Sequence, residues 1–382
     1  MTPTPTLALH TSRRGKRLVL LAALTGLTAF LSSSVAGAQP QQGSKVRVMT
    51  QNMYIGPLGI IREAAAHPET LPGAVSKFFN ETVDTKPAQR AAAIAEKIHS
   101  NHPDLVALQE VGILRKGSGS TPNDPKIPAT DVVHDQLQLL RDALTGYREH
   151  YDTVAVIPNS DVQFPSALNF VVRITDRTVI LARASPNDLK LSNAQVEEYW
   201  AKPPVPPAAS GLIIPMFGWG SVDVQVNDRK FRFVATHLMP ATPEFPALIE
   251  IQKAQASELI QSAGQTDLPV VYAGDFNTVL GLATYQILVD SGRVDAWQQK
   301  NPMASCAEGH PAEDRRGCTC CQDPDLRNPM SKLSLRIDLV IVPPHTEIEE
   351  VELVGADPAD QTSGLWPSDH AGVVAILKLP RN

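Results

Sequence analysis

Positive charge is not in excess in this chain. Its 34 Lys and Arg residues are outnumbered by 40 Asp and Glu, a formal net charge of −6 over 382 residues. A broadly basic surface that would hold nucleic acid non-specifically is therefore disfavoured, while a local basic groove or bound divalent cations would still offset the acidity. Cysteine is also scarce: Cys306, Cys318, Cys320 and Cys321 are the full set of four. They lie so close together that they fasten one loop and not a domain. Beyond residue 38 no apolar run is long enough to span a bilayer, which needs ~18–20 residues. There is no internal repeat and no linker that would split residues 45–382. A hydrophobic content of 43% is enough for a sizeable core.

Residues 1–38 differ in kind. Arg13, Arg14, Lys16 and Arg17 precede the apolar run Leu18 to Leu31, and Ala36-Gly37-Ala38 offers the small residues that a signal peptidase reads. This pattern is that of a secretory signal peptide, and Ser12-Arg13-Arg14 leaves twin-arginine export open beside the general route. Removing it takes away four positive charges and no negative ones, so the mature chain is more acidic still. Export, whether to a periplasm or out of the cell, favours disulfides over free thiols. Sequence neighbours such as Cys320 and Cys321 rarely bridge each other, so two disulfides running out from Cys306 or Cys318 are expected, with connectivity open. A zinc site made by this loop with His310 is a weaker reading, because the spacing is not that of a common zinc module.

Along the chain, Lys45 to Asn52 alternates as a first strand, and a helix opens at Pro87 with Ile94 and Ile98 at helical spacing and Arg90 in its first turn. Asp104 to Val111 reads as a strand, Gly112 to Ala129 as a surface loop, and Asp131 to Leu144 as a helix. Phe170 to Ile174 and Thr178 to Ala182 are short apolar runs, and 185–220 reads as Pro-rich and irregular. Exposed Leu212, Ile213, Met216, Phe217 and Trp219 would give that region a membrane-surface contact, although apolar residues leading into a strand are more often core. Phe231 to His237, Leu268 to Ala273 and Leu335 to Val342 read as strands, with helices at Pro243 to Ala263 and Leu282 to Ser291. A last strand runs from His370 to Leu379. Strands that partly alternate with helices imply an α/β layered protein with mixed sheets.

Polar residues collect at the ends of these strands: Asn52, Glu110, His237, Asp275, Asn277, Asp338, Asp369 and His370. Each has an ordinary reading as a turn former, surface charge or core histidine. Together they form a set of hard oxygen donors with two imidazoles, suited to magnesium first and to manganese or calcium next. Hydrolysis of a phosphate ester puts negative charge on the phosphoryl oxygens and on the leaving group. A divalent cation with neutral or cationic donors answers that need, and a histidine backed by a carboxylate moves protons near neutral pH.

The ordered segments Gln51-Asn52, Leu108-Gln109-Glu110-Val111, Thr236-His237-Leu238, Gly274-Asp275-Phe276-Asn277, Arg336-Ile337-Asp338-Leu339 and Ser368-Asp369-His370 resemble the endonuclease/exonuclease/phosphatase superfamily. That group includes DNase I-like nucleases, bacterial sphingomyelinases and inositol-phosphate phosphatases. The resemblance implies a four-layer α/β sandwich, two mixed β-sheets face to face with helices outside, over residues 45–382. It also implies metal-dependent hydrolysis of a phosphoric ester; a diester as the substrate and a monomer as the acting species are the accompanying expectations. By the same resemblance Glu110, Asn52 and Asp369 hold the metal, while His237, Asp275, Asn277, Asp338 and His370 are catalytic, with Asp338 orienting His370. Tyr54 stands where several nucleases of that group carry an aspartate, so no second ligand is carried over there. Whether the diester belongs to nucleic acid or to a phospholipid stays open, and a non-catalytic binding protein that keeps the fold is the alternative from another class.

Overall fold

The computed structural model describes residues 45–380 apart from short stretches at 65–66, 119–120, 185–188, 204–212, 228, 303–305 and 307–316. The signal peptide expected at 1–38, Leu212 and His310 lie outside the described residues. Strands β1 (Lys45–Asn52), β2 (Leu105–Gln109), β3 (Ile113–Lys116), β4 (Asp131–Asp135), β5 (Tyr151–Pro165), β6 (Val171–Arg183), β7 (Leu189–Glu198) and β8 (Ile213–Pro215) come first. They are followed by β9 (Gly218–Val226), β10 (Arg229–His237), β11 (Val270–Asp275), β12 (Val294–Asp295), β13 (Asp338–Val342), β14 (Glu347–Val354) and β15 (Gly372–Lys378). Among the described residues the helices are α1 (Leu58–Ala64), α2 (Leu71–Asp84), α3 (Pro87–Asn101), α4 (Gln136–Gly146), α5 (Pro246–Ser262), α6 (Ala283–Val289) and α7 (Ala296–Lys300).

Nine strands form one mixed sheet along the order β14-β15-β1-β2-β6-β3-β4, with β5 on β6 and β8 on β5. The other six run β12-β13-β11-β10-β9-β7. Val48, Ala107 and Ala375 of the first sheet meet Phe231, Phe233 and Val271 of the second in a shared core. On the outer face of the nine-stranded sheet, Ile94, Ile98 and Leu140 of α3 and α4 cover Met49, Val106 and Leu108. On the outer face of the other, Leu259 and Leu288 of α5 and α6 cover Val234, Tyr272 and Leu339. The order is therefore helix, sheet, sheet, helix: the four-layer α/β sandwich. Central strands buried on both faces explain why β2 and β13 lack an exposed polar phase.

Local chemistry accounts for the differences from the expected elements. The helix expected from Asp131 begins five residues later, because β-branched Val132 and Val133 extend as β4 and Asp135 caps α4 by accepting from Leu137 N. The expected loop at 112–129 contains β3, and the irregular stretch at 185–220 contains β7 and β8. β7 is an edge strand with nearly every residue exposed, held by its backbone ladder to β9, so it has no hydrophobic alternation to read. Trp219 is buried in the core on β9, which removes it from any membrane-facing patch.

The disulfides also differ from expectation. Cys306 pairs with Cys318, Cα atoms 5.5 Å apart, and Cys320 pairs with its neighbour Cys321. Cys306 packs beside Cys318 against the small apolar cluster of Leu333 and Ala371. With Cys318 so engaged, Cys320 and Cys321 have only each other.

Candidate active site

Strand ends from both sheets converge on one cleft of about 560 Å³. In the six-stranded sheet, cross-strand register puts His237 beside Asp275 and Asp275 beside Asp338, so three site residues lie in one row at the mouths of β10, β11 and β13. From the nine-stranded sheet come Asn52 at the end of β1, Glu110 just past β2, and Asp369 and His370 just before β15. All eight expected residues are thus brought together. Asn52 and Asp338 lie in the cleft's walls and the other six line its surface.

Hydrogen bonds tie the two halves. Asn52 Oδ1 accepts from Tyr54 N at 2.9 Å, which aims Nδ2 at Glu110 Oε1, 3.1 Å, and at Asp275 Oδ2, 3.2 Å. Glu110 Oε2 accepts from Ile55 N at 2.8 Å. Asp275 Oδ1 accepts from Asn277 N at 2.9 Å, and Asn277 Nδ2 donates to Leu238 O at 2.9 Å. Tyr54, Glu110 and Asn277 all have positive φ, at 56°, 52° and 48°. Such left-handed turns at non-glycine residues cost ~1–3 kcal/mol each, and here they swing side chains back toward the cleft.

The imidazole is held from behind. His370 Nδ1 lies 2.8 Å from Asp338 Oδ2 and 3.9 Å from Asp275 Oδ2, so Asp338 is its hydrogen-bond partner and Asp275 a through-space neighbour. Burial alone would lower the His370 pKa, but Asp338, Asp369 and Asp275 outweigh it and hold it well above the ordinary range. Burial and then the Asp338 charge push Asp275 up to about 6, against the pull of His237 and His370. Burial pushes Asp369 up to about 7, with His370 and Arg90 opposing and Glu110 reinforcing. His237 Nε2 stands 3.5 Å from Asp275 Oδ2.

A family model for the endonuclease/exonuclease/phosphatase family matches residues 83–370. The chain belongs to this family. Its members include phosphodiesterases and phosphatases and typically depend on divalent metals. No curated protein matches it. Among solved structures, an endonuclease/exonuclease/phosphatase from Bacteroides vulgatus is similar at 15% identity and a TM-score of 0.52, over 88% of this chain and 100% of that one. One from Beutenbergia cavernae is similar at 20% identity and a TM-score of 0.51, over 88% and 72%. A mannosyl-6-phosphatase from Bacteroides thetaiotaomicron is similar at 16% identity and a TM-score of 0.51, over 87% and 99%. At these identities the likeness is one of fold.

The acidic groups of this family member suit a hard cation. Glu110, Asp275 and Asp369 share one cleft, and the raised values of the latter two mark negative charge gathered where water cannot dilute it. Among the described residues, Asp275, Asp338 and His370 form one set of potential ligands in this cleft, their donor atoms within 4.8 Å of one another. Glu110 joins that set through the Asn52 amide.

Three supporting residues were not recognised in the sequence as parts of the site. Asp176 on β6 lines the cleft, with burial and then Glu110 among the influences that push it up to about 6, and its Oδ1 is buried without a hydrogen-bond partner. Its signal was available, since it falls in the inward phase of an alternating strand with Ile174 and Thr178. Buried Arg90 donates to the carbonyls of Thr85, Met53 and Tyr54 at 3.1, 2.8 and 3.1 Å, and to Pro367 at 3.4 Å. Gln136 donates to the Tyr54 carbonyl at 2.8 Å and accepts from Gly112 N at 2.6 Å. Both hold the turn that follows Asn52, and neither role has a sequence pattern.

Proposed function

We propose that the chain is an exported, magnesium-dependent phosphodiesterase acting on a compact diester with an apolar neighbour, of the phospholipid type, rather than on nucleic acid. The observation that supports this choice is the lining of the cleft. Arg62 is its single Lys or Arg among the described residues, while Leu58, Ile60, Phe217, Met239 and Pro240 contribute apolar surface. One cation beside the two histidines can meet one phosphoryl group, whereas a nucleic-acid strand would need a run of them.

Magnesium held by Glu110, Asp369 and the remaining lone pair of Asn52 Oδ1 would compensate phosphoryl charge and lower the pKa of water. His370, raised by its carboxylate neighbours, enters as the imidazolium and gives its Nε2 proton to the leaving oxygen. Asp338 fixes Nδ1 and so the direction of that proton. Asp275, at about 6, is ionised at neutral pH and able to orient the attacking water and accept its proton. His237 faces the phosphoryl oxygens as a donor, and Asn277 shapes the same wall.

The test offers the chain without residues 1–38 a chromogenic diester, a chromogenic monoester, sphingomyelin, phosphatidylinositol and plasmid DNA, with magnesium and with chelator. Magnesium-dependent turnover of the diester and of a phospholipid, with DNA intact, is expected. Cleavage of DNA ahead of either lipid would overturn the substrate class. Turnover of the monoester alone would make the protein a phosphatase, and no turnover at any divalent concentration would make it a binding protein.

A further inference from the structure

The cysteine loop reaches deeper into the catalytic centre than a staple requires. Residues 319–322 run between the Asp338 strand and the His370 segment. Leu335 N donates to Cys320 O at 2.8 Å, Gln322 N to Asp369 O at 2.9 Å and Ala371 N to Thr319 O at 2.8 Å. Thr319 Oγ1 accepts from the backbone N–H groups of Ile337 and Asp338, both at 3.1 Å. Cys320 and Cys321 line the cleft, and Cys321 Sγ is 4.0 Å from His370 Nε2, the ring nitrogen turned away from Asp338. Both sulfurs and an imidazole nitrogen of His370 lie within 4.8 Å of one another.

Two sulfurs and an imidazole are soft and borderline donors, set against a site otherwise built of hard oxygens. A carboxylate on the far nitrogen of a histidine is the arrangement that fixes tautomer and ring orientation in metal-ligating imidazoles. We propose that Cys320, Cys321 and His370 form a site for a thiophilic divalent cation of the zinc and cadmium class, opened by reduction of the Cys320–Cys321 bridge, whose filling shuts the hydrolytic centre. A phosphine reductant, with water, delivers two electrons and two protons to the bridge. The S–S bond breaks, two thiols form and the phosphine leaves as its oxide. Cation binding then releases both thiol protons and the proton on His370 Nε2, and forms two bonds to sulfur and one to nitrogen. The closed bridge offers no thiolate, so the oxidised protein has no such site. His370 Nε2, once bound, no longer carries a proton to the leaving group. The inhibition rests on the hydrolase reading proposed above, whereas the binding site does not.

The experiment titrates cadmium alone into the full chain without oxygen, as isolated and after a water-soluble phosphine, and reads the ultraviolet thiolate-to-cadmium charge-transfer band. One cadmium per reduced chain is expected, with no band in the oxidised chain. The band should survive Cys306→Ala/Cys318→Ala and vanish in Cys320→Ser/Cys321→Ser, with folding of both checked by circular dichroism. Asp338→Asn keeps both sulfurs but loosens the imidazole, and should weaken binding roughly 10- to 100-fold. A band in the oxidised protein, a band that persists without Cys320 and Cys321, or equal affinity in Asp338→Asn overturns the site. In a parallel arm, cadmium should stop magnesium-supported diester hydrolysis only in the reduced protein. A band with no hydrolysis in any form upholds the site and defeats the hydrolase reading, and hydrolysis with no band does the reverse.

Discussion

Replacing Asp338 by Asn tests whether the buried carboxylate serves the histidine or the metal. Asp338 Oδ2 is 2.8 Å from His370 Nδ1, while the next carboxylate oxygen, on Asp275, is 3.9 Å away and already accepts from Asn52. Nothing else in the row can replace that hydrogen bond. Asn keeps the size but lets its amide donate to Nδ1, which favours the wrong tautomer and removes the charge that sustains the imidazolium. A loss of ~10²–10⁴-fold in turnover is expected, about 3–5 kcal/mol of transition-state stabilisation. Extra magnesium should not restore it. Glu110→Gln should behave otherwise. Its carboxylate accepts from both Asn52 and Ile55, so an amide leaves one donor facing another and removes the charge that holds a hard cation. Turnover and metal affinity should fall together, and excess magnesium should recover part of the rate. His370→Ala should match Asp338→Asn, with the double variant little worse than either, because the two act as one unit. The assay is turnover of a chromogenic diester across a magnesium titration for all four variants. Rescue of Asp338→Asn by magnesium, or losses at Asp338 and His370 that multiply, would refute the dyad and put Asp338 among the metal ligands with Asp275.

The metal-free protein should melt at a lower temperature at pH 8 than at pH 6. Asp275 and Asp369 are raised from 3.8 to about 6 and about 7, and His370 is raised above 6.5, so all three bind protons more tightly folded than unfolded. Their contribution is therefore favourable at low pH and is lost as pH rises, through the 4–7 window for the carboxylates and above 6.5 for the imidazole. Magnesium held as proposed by Glu110 and Asp369 would favour the deprotonated form of Asp369 and should narrow the difference, and thermal melts with chelator or magnesium check this. Arg90→Leu would strand the Thr85 carbonyl in the interior, leave the carbonyls of Met53 and Tyr54 to share the one amide of Gln136, and should cost roughly 3 kcal/mol, read as a lower urea midpoint at unchanged slope. An unchanged midpoint would show that water replaces it. N-terminal sequencing of exported protein should begin near Gln39, and an intact Met1 would end the signal-peptide reading.

The layered architecture was legible because its central strands announce themselves. β1 and β10 alternate apolar with polar residues and β11 is an apolar run, all three of strand length and ending in a polar residue, and α3 pairs a proline start with helical spacing. What stayed hidden was held by the backbone or decided by tertiary packing. Exposed β7 owes its existence to the ladder with β9, and α1 is only seven residues long. Val132 and Val133 went to a strand although their neighbours go to a helix, since pairing of β4 with β3 outweighs helical pattern there.

The site was more legible than the periphery because its residues sit where strands stop, and a stop is visible in sequence. The row of His237, Asp275 and Asp338 shows what that placement requires. Adjacent strands must approach closely enough for three short side chains to meet, and the residue before Asp275 is Gly274, where a Cβ would lie 2.2 Å from the Thr236 carbonyl oxygen. The glycine in Gly274-Asp275 therefore belongs to the geometry of the row as much as the carboxylate does. By contrast, the Cys320–Cys321 pair enters the cleft through a loop 49 residues from His370 in sequence. Spacing carries no information about such a contact. It exists because residues 319–322 are pinned between Leu335 and Ala371, so the chain's one cysteine cluster ends beside the His370 imidazole.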